Sequence, residues 1–199
     1  MENNGFLLIL TGKTASGKDT IMQQLISKYP NLQRVVTTTS RPKRYNEVED
    51  KDYHFLTPEQ FKGKINQGDF IEYVEYGGNL YGTQKSEINK AFDNDLIWRI
   101  DPSRAGRIRE FINSAFNPDQ AQKLLKKVLV IYLTVSDQVI LERLQKRNLT
   151  KEEIEKRMQQ DKLFWEQFKD SYDFIVENIP GKLNETLDKI IQILENRPS

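Results

Sequence analysis

The chain has 199 residues, enough for one sizeable core or a core with one or two small excursions. Its 30 basic and 29 acidic residues nearly cancel, which excludes a global field that recruits nucleic acid or an anionic membrane. No apolar run approaches the roughly 18 residues of a membrane span, the opening residues carry no basic signal-peptide region, and no cysteine is present; disulfides, thiolate catalysis and cysteine-built metal sites are excluded, and a cytoplasmic location is expected.

The first predicted element is an apolar strand, Phe6 to Leu10, which runs into Gly12-Lys13-Thr14-Ala15-Ser16-Gly17-Lys18. Gly12 and Gly17 allow a turn whose backbone N–H groups close on phosphate oxygens. Lys18 adds a full positive charge at the start of a helix, Asp19 to Lys28, whose N-terminal dipole favours the same anion. The apolar positions Ile21, Met22, Leu25 and Ile26 give that helix a buried face. Residues 12–20 therefore read as a nucleotide-binding loop. Asp19 stands where a Ser or Thr commonly holds magnesium, and Thr20 displaces the hydroxyl by one position, so these two are the candidate metal ligands.

Further along, strands are predicted at Val35 to Thr39, Asp52 to Leu56, Phe70 to Tyr76, Leu96 to Ile100, Val128 to Val135 and Asp173 to Val176. Helices are predicted at Pro58 to Asn66, Gln84 to Phe92, Ser103 to Phe116, Ser136 to Arg147, Thr150 to Phe168 and Lys182 to Glu195. Thr150 and Glu153 form a capping-box start, whereas Asn117-Pro118-Asp119-Gln120 reads as a loop. The lone histidine, His54, reads as an ordinary surface or strand residue. Alternating strands and helices predict an α/β core, a five-stranded parallel sheet flanked by helices. Two stretches interrupt it: a small, mostly β insertion at about 40–83, and a short helical flap at about 144–157 with Arg143, Arg147 and Arg157 in or beside it. The remainder, 1–39, 84–143 and 158–199, forms the core of one domain.

Within the insertion, Arg41 and Arg44 place two guanidinium forks three residues apart; an arginine suits a bidentate grip on phosphate, while such a pair taken alone is more often a solvated surface. Asp52-Tyr53-His54-Phe55, Phe70-Ile71-Glu72 and Gly78-Asn79-Leu80-Tyr81-Gly82-Thr83 come after them. Together and in this order, these motifs resemble those of guanylate kinase, which phosphorylates GMP with ATP, over the span from Gly12 to Asn178. The resemblance implies a P-loop kinase fold with a GMP-binding insertion and a lid. It implies that Arg41, Arg44, Tyr53 and Tyr81 hold the GMP phosphate, and that Glu72 and Thr83, with Thr37 and Asp101, recognise guanine. ATP and magnesium would sit at residues 12–20, with Lys18, Arg143, Arg147 and Arg157 as the catalytic cations. The implied assembly is a monomer or homodimer.

The chain departs from the family pattern at one strand. Where Asp-x-Asp-x-Gln-Gly is usual, it reads Arg99-Ile100-Asp101-Pro102-Ser103-Arg104, so a cation replaces one carboxylate. Gly17-Lys18-Asp19 and Ser103-Arg104-Ala105 are also similar to ribose 1,5-bisphosphate phosphokinase, a relative on the same scaffold. The guanylate kinase-like modules of scaffold proteins, which bind peptides without catalysis, typically lack the working loop that Gly12, Gly17 and Lys18 preserve here.

Overall fold

The computed structural model describes residues 5–197; the chain start, at which no signal region is read, lies at 1–4 outside the described residues. The order of elements is β1 (Leu7–Gly12), α1 (Lys18–Lys28), β2 (Gln33–Arg34), β3 (Thr38–Thr39), β4 (His54–Phe55), α2 (Pro58–Asn66), β5 (Phe70–Tyr76), β6 (Asn79–Gln84) and α3 (Lys85–Asn89). It continues with β7 (Leu96–Arg99), α4 (Pro102–Gly106), α5 (Ile108–Ala115), α6 (Pro118–Lys127), β8 (Val128–Thr134), α7 (Asp137–Gln145), α8 (Lys151–Phe168), β9 (Phe174–Glu177) and α9 (Leu183–Glu195). The architecture is α/β: a five-stranded parallel sheet of order β2-β7-β1-β8-β9 flanked by helices, and a four-stranded sheet of order β4-β3-β6-β5. Among the described residues no helix is long and apolar enough to cross a membrane.

The chain forms two compact units. One comprises, among the described residues, 5–7, Gln33–Trp98 and Ile108–Val128. Its small sheet pairs β3 parallel with β4 and antiparallel with β6, and β5 antiparallel with β6. The two-residue turn Gly77-Gly78, both at positive φ, closes the β5–β6 hairpin, the backbone geometry that matches strand twist. Helix α2 starts on a reciprocal capping box between Thr57 and Gln60, with Pro58 in its first turn. Phe61 from α2 stacks on Phe70 of β5 with ring centroids 4.3 Å apart, fixing the helix against the sheet.

The other unit comprises, among the described residues, Leu8–Leu32, Arg99–Arg107 and 129–197. Here β8 and β9 pair in parallel, Ile131 opposite Phe174. The β8 run Val128–Leu133 is buried throughout, as expected for a strand covered on both faces. Val135, Ile140, Leu144 and Ile154 form a buried cluster against which Ala15, Leu149 and Met158 pack. This apolar contact seats α7 and the start of α8 against the loop after β1. The capping box predicted at Thr150 and Glu153 is present in both directions.

Three expectations are corrected. Val35 to Thr39 is not one strand: β2 belongs to the large sheet and β3 to the small one, and between them the Val36 N–H leaves the ladder to bond the buried Glu87 carboxylate at 3.1 Å. The helix expected from Ser103 to Phe116 breaks at Arg107 into α4 and α5. Beside that break, the Phe168 ring packs so closely on Gly106 that a Cβ there would lie 2.4 Å from it. Asn117-Pro118 is a helix start rather than a loop: Asn117 caps α6 by accepting the Gln120 N–H at 2.9 Å, and Pro118 occupies the first helical position.

Candidate functional site

Within the second unit, the site is built on the turn from β1 into α1. Gly12 has φ 140°, and a Cβ on it would meet the Leu133 carbonyl oxygen at 2.0 Å. The Lys13 N–H donates to that same oxygen at 3.0 Å, so only glycine lets the loop leave β1 this close to β8. Gly17, φ 93°, is the N-cap of α1, and a Cβ there would strike the Asn178 amide at 2.5 Å. The buried Asn178 amide nitrogen donates to the Ser16 carbonyl at 2.8 Å, tying the loop to the residue just past β9.

Around this loop the charges are dense. Lys18 Nζ folds back to donate to the carbonyls of Gly12 at 2.9 Å and Lys13 at 2.7 Å. Burial and the Arg99 cation lower its pKa to about 8, with Asp161 and Asp19 opposing. Arg143, carried by α7, donates to the Ala15 carbonyl at 2.7 Å. Arg147 and Arg157 are exposed, although the charge of Arg147 also reaches Lys18. Lys13 pairs with Asp137 at 2.8 Å. The loop residues Thr14, Ala15 and Gly17 are half-buried, and Thr20 is exposed.

Asp161 was not legible in the sequence, where it lies in a polar helical run. It is buried on α8 and accepts the Thr14 N–H at 2.8 Å. Burial raises its pKa, against the Thr14 hydrogen bond and the charges of Lys18 and Lys13. A carboxylate oxygen thus takes up one of the loop's backbone donors, that of Thr14. Asp19 and Arg99, the two departures seen in the sequence, form an ion pair, Nε to Oδ1 at 2.8 Å. Asp101 caps α4 by accepting the N–H groups of Ser103 at 3.1 Å and Arg104 at 3.2 Å, and also pairs with the Arg104 guanidinium. Burial raises the Asp101 pKa, but the Arg104 charge and these hydrogen bonds outweigh it and leave it lowered. Ser103 and Arg104, which suggested a sugar-bisphosphate kinase, are thereby engaged in a helix cap.

The first unit gathers most of the remaining candidates on the small sheet. Glu72 on β5 and Thr83 on β6 are paired in register and buried, and the Thr83 hydroxyl donates to Glu72 Oε1 at 2.8 Å. The Arg41 guanidinium lies over the Tyr53 ring, 5.1 Å from its centroid, and Tyr53 meets Tyr81 edge-on at 6.4 Å. Arg41 makes a two-pronged contact with Glu47, whose carboxylate also accepts the Arg44 N–H at 2.9 Å. Arg41 holds the Glu47 carboxyl at about 2. The Arg41 fork and the Arg44 backbone thus form a working carboxylate seat. The Arg44 side chain is exposed, and Thr37 contributes its carbonyl to the His54 N–H at 2.9 Å.

His54 is more engaged than the sequence suggested. Nδ1 lies 2.7 Å from Asp50 and Nε2 3.1 Å from the buried Glu87, which also takes Lys90 at 2.6 Å. Burial pushes Glu87 up, but His54, Lys90 and the Val36 N–H hold its carboxyl at about 2. The hydrogen bond to Glu87 raises the His54 pKa above its ordinary 6.5, against burial and with help from Asp50. A raised histidine pKa contributes stability that is full below the unfolded value and is lost as pH rises through the folded one. His54→Gln is therefore expected to lower Tm by about 2–4 °C near pH 6, with the difference from the unsubstituted chain shrinking toward pH 9 in thermal melts. A difference that grows with pH would contradict the assignment.

Comparison with known proteins gives the family. A family model described as guanylate kinase matches residues 5–197. The guanylate kinase of Clostridium perfringens strain ATCC 13124 is 39% identical over 111 residues, a match that spans 55% of this chain and about half, 51%, of that protein. The guanylate kinase of Carboxydothermus hydrogenoformans is 31% identical over 97% of this chain and 87% of its own length. In fold, the chain is similar to the crystal structure of guanylate kinase from Anaplasma phagocytophilum, with TM-score 0.68, 22% identity, and coverage of 98% and 87%. A glycine loop braced by Asn178, a buried Glu72–Thr83 pair and a match running from residue 5 to 197 lead to one conclusion: the chain belongs to the guanylate kinase family.

Proposed function

We propose that this chain transfers the terminal phosphoryl group of ATP to GMP, and to dGMP, giving ADP and the nucleoside diphosphate. The observation that carries the reading is the buried Glu72–Thr83 pair. Guanine offers N1–H and an exocyclic amine to the Glu72 carboxylate and an O6 acceptor to the Thr83 hydroxyl, whose single proton turns from Glu72 to the base on binding, with Thr37 and Asp101 as further base contacts. Adenine would leave the carboxylate without those donors, a mismatch worth up to roughly 10⁴-fold. The base and phosphate contacts make no demand on the ribose 2′-hydroxyl, so dGMP is a substrate in this reading.

Arg41, Arg44, Tyr53 and Tyr81 are assigned to the GMP phosphate. The Glu47 carboxylate in the Arg41 fork supports this, since a phosphate oxygen pair asks for the same geometry. Residues 12–20 take the ATP phosphates. The acceptor is already an anion, so no strong general base is required; the task is to hold two polyanions in line and offset their repulsion. Lys18, Arg143, Arg147 and Arg157 supply positive charge as it builds on the moving phosphoryl group. Closure of 144–157 as a lid over the core excludes water from the transfer, and 40–83 acts as the GMP-binding insertion. Asp19 and Thr20 would offer oxygen donors to magnesium, the Arg99 guanidinium holding Asp19 Oδ1 in the free protein; the ion would supply neutralisation of phosphate charge. We place the enzyme in the cytoplasm as a monomer or homodimer.

Coupled ADP release, measured with GMP, dGMP, AMP and ribose 1,5-bisphosphate, tests the reading. Turnover with GMP and dGMP far above AMP is expected. Turnover with the sugar bisphosphate alone would replace it by the sister phosphokinase activity, and nucleotide titration without any turnover or protection would leave only a binding module.

A further inference from the structure

We propose that Arg99 is a positioning residue for polyphosphate binding that acts through Asp19: its guanidinium covers the carboxylate on the helix turn directly behind the phosphate loop, so that the turn can accept an anionic ligand. The inference rests on the proposed nucleotide reading of that loop.

Asp19 follows Lys18 in the first turn of α1. There the helix dipole and unpaired N–H groups attract negative charge, and a carboxylate competes with a ligand phosphate for the same field. Arg99 reaches it from the carboxyl end of β7, the edge outside which open α/β sheets bind their ligands. The two meet at 2.8 Å with side-chain exposures of 38% and 67%. A pair this open contributes little to folding, so stability does not explain why both charges are there. Their placement also unites the two sequence departures at one contact: a carboxylate where a hydroxyl is common, and a cation where a carboxylate is common. Each alone would change the charge facing the loop by a full unit, in opposite senses. Arg99 is moreover close enough to Lys18 to act on its charge. Removing Arg99 would leave Asp19 bare beside several phosphate charges; removing both would restore neutrality.

Affinity for ADP, measured by titration calorimetry on the full chain in a chelator so that no metal contributes, tests this compensation. Arg99→Ala is expected to weaken ADP binding about tenfold, and Asp19→Ser, which leaves the Arg99 cation uncovered beside the phosphates, to strengthen it by up to about tenfold. Asp19→Ser with Arg99→Ala should return to within about threefold of the unsubstituted chain, and Arg99→Lys, which keeps the charge, should lose no more than about threefold. Melting curves check that each variant is folded, and Arg99→Gln, neutral but closer in shape, repeats the measurement with the same expected loss. Losses that add in the double variant, or no loss on removing Arg99, would overturn the inference while leaving the proposed function standing. Failure of the unsubstituted chain to bind ADP both in the chelator and with magnesium added would overturn the proposed function and this inference with it, whereas failure in the chelator alone would overturn only this inference.

Discussion

Glu72→Gln is expected to lower kcat/KM for GMP by roughly 10²- to 10⁴-fold and to erase most of the preference for GMP over AMP. In the proposed pose a carboxylate accepts both guanine donors, and an amide presents one acceptor and one donor. The amide nitrogen of the substituted side chain would face a guanine donor, leaving two hydrogens opposed in a buried place where water does not compensate. Glu72 is 6% exposed, so solvent cannot soften the mismatch. The substitution keeps shape and can still accept the Thr83 hydroxyl through its carbonyl oxygen, so the hairpin of β5 and β6 should persist. Competition kinetics with GMP and AMP read the ratio directly. An unchanged ratio would move base recognition away from the small sheet.

How much of this was legible in the residues differs by element. The loop from Gly12 to Lys18 was legible because its glycines answer to backbone constraints that no other residue meets, and those constraints sit at Leu133 and Asn178. Phe70–Tyr76 and Pro58–Asn66 were legible to the residue, since a local period and a cap determine them. What failed was decided at long range. Val36 looks like a strand residue until the buried Glu87, 51 positions away, takes its N–H. Asp161 looks like any helix-surface acid until α8 turns it onto Thr14, 147 positions away. Glu47 likewise gave no sign that it would fill the Arg41 fork. Asn117-Pro118 failed for a different reason: the same dipeptide starts a loop or a helix, and only the residues downstream of the proline distinguish the two. Arg99 and Asp19 were visible as departures, yet only their 2.8 Å contact makes them one feature.

Lys18→Ala is expected to reduce kcat by on the order of 10³-fold or more while changing GMP affinity by less than about threefold. The ammonium folds back on the carbonyls of Gly12 and Lys13, so in the free protein it braces the loop. Its burial and the nearby Arg99 cation hold its pKa at about 8, which means its charge is costly to keep without an anion beside it. In the proposed reaction a triphosphate would supply that anion, and the lysine would meet charge that grows as the phosphoryl group transfers. Alanine removes both the brace and the charge, and neither Arg143, engaged at Ala15, nor the exposed Arg147 and Arg157 starts from the same place. Every contact assigned to GMP comes from other residues, so acceptor binding should be spared. Single-turnover transfer measured beside equilibrium GMP binding separates the two effects. A variant that transfers phosphate at the unsubstituted rate would remove Lys18 from the chemistry and leave the loop with a structural role alone.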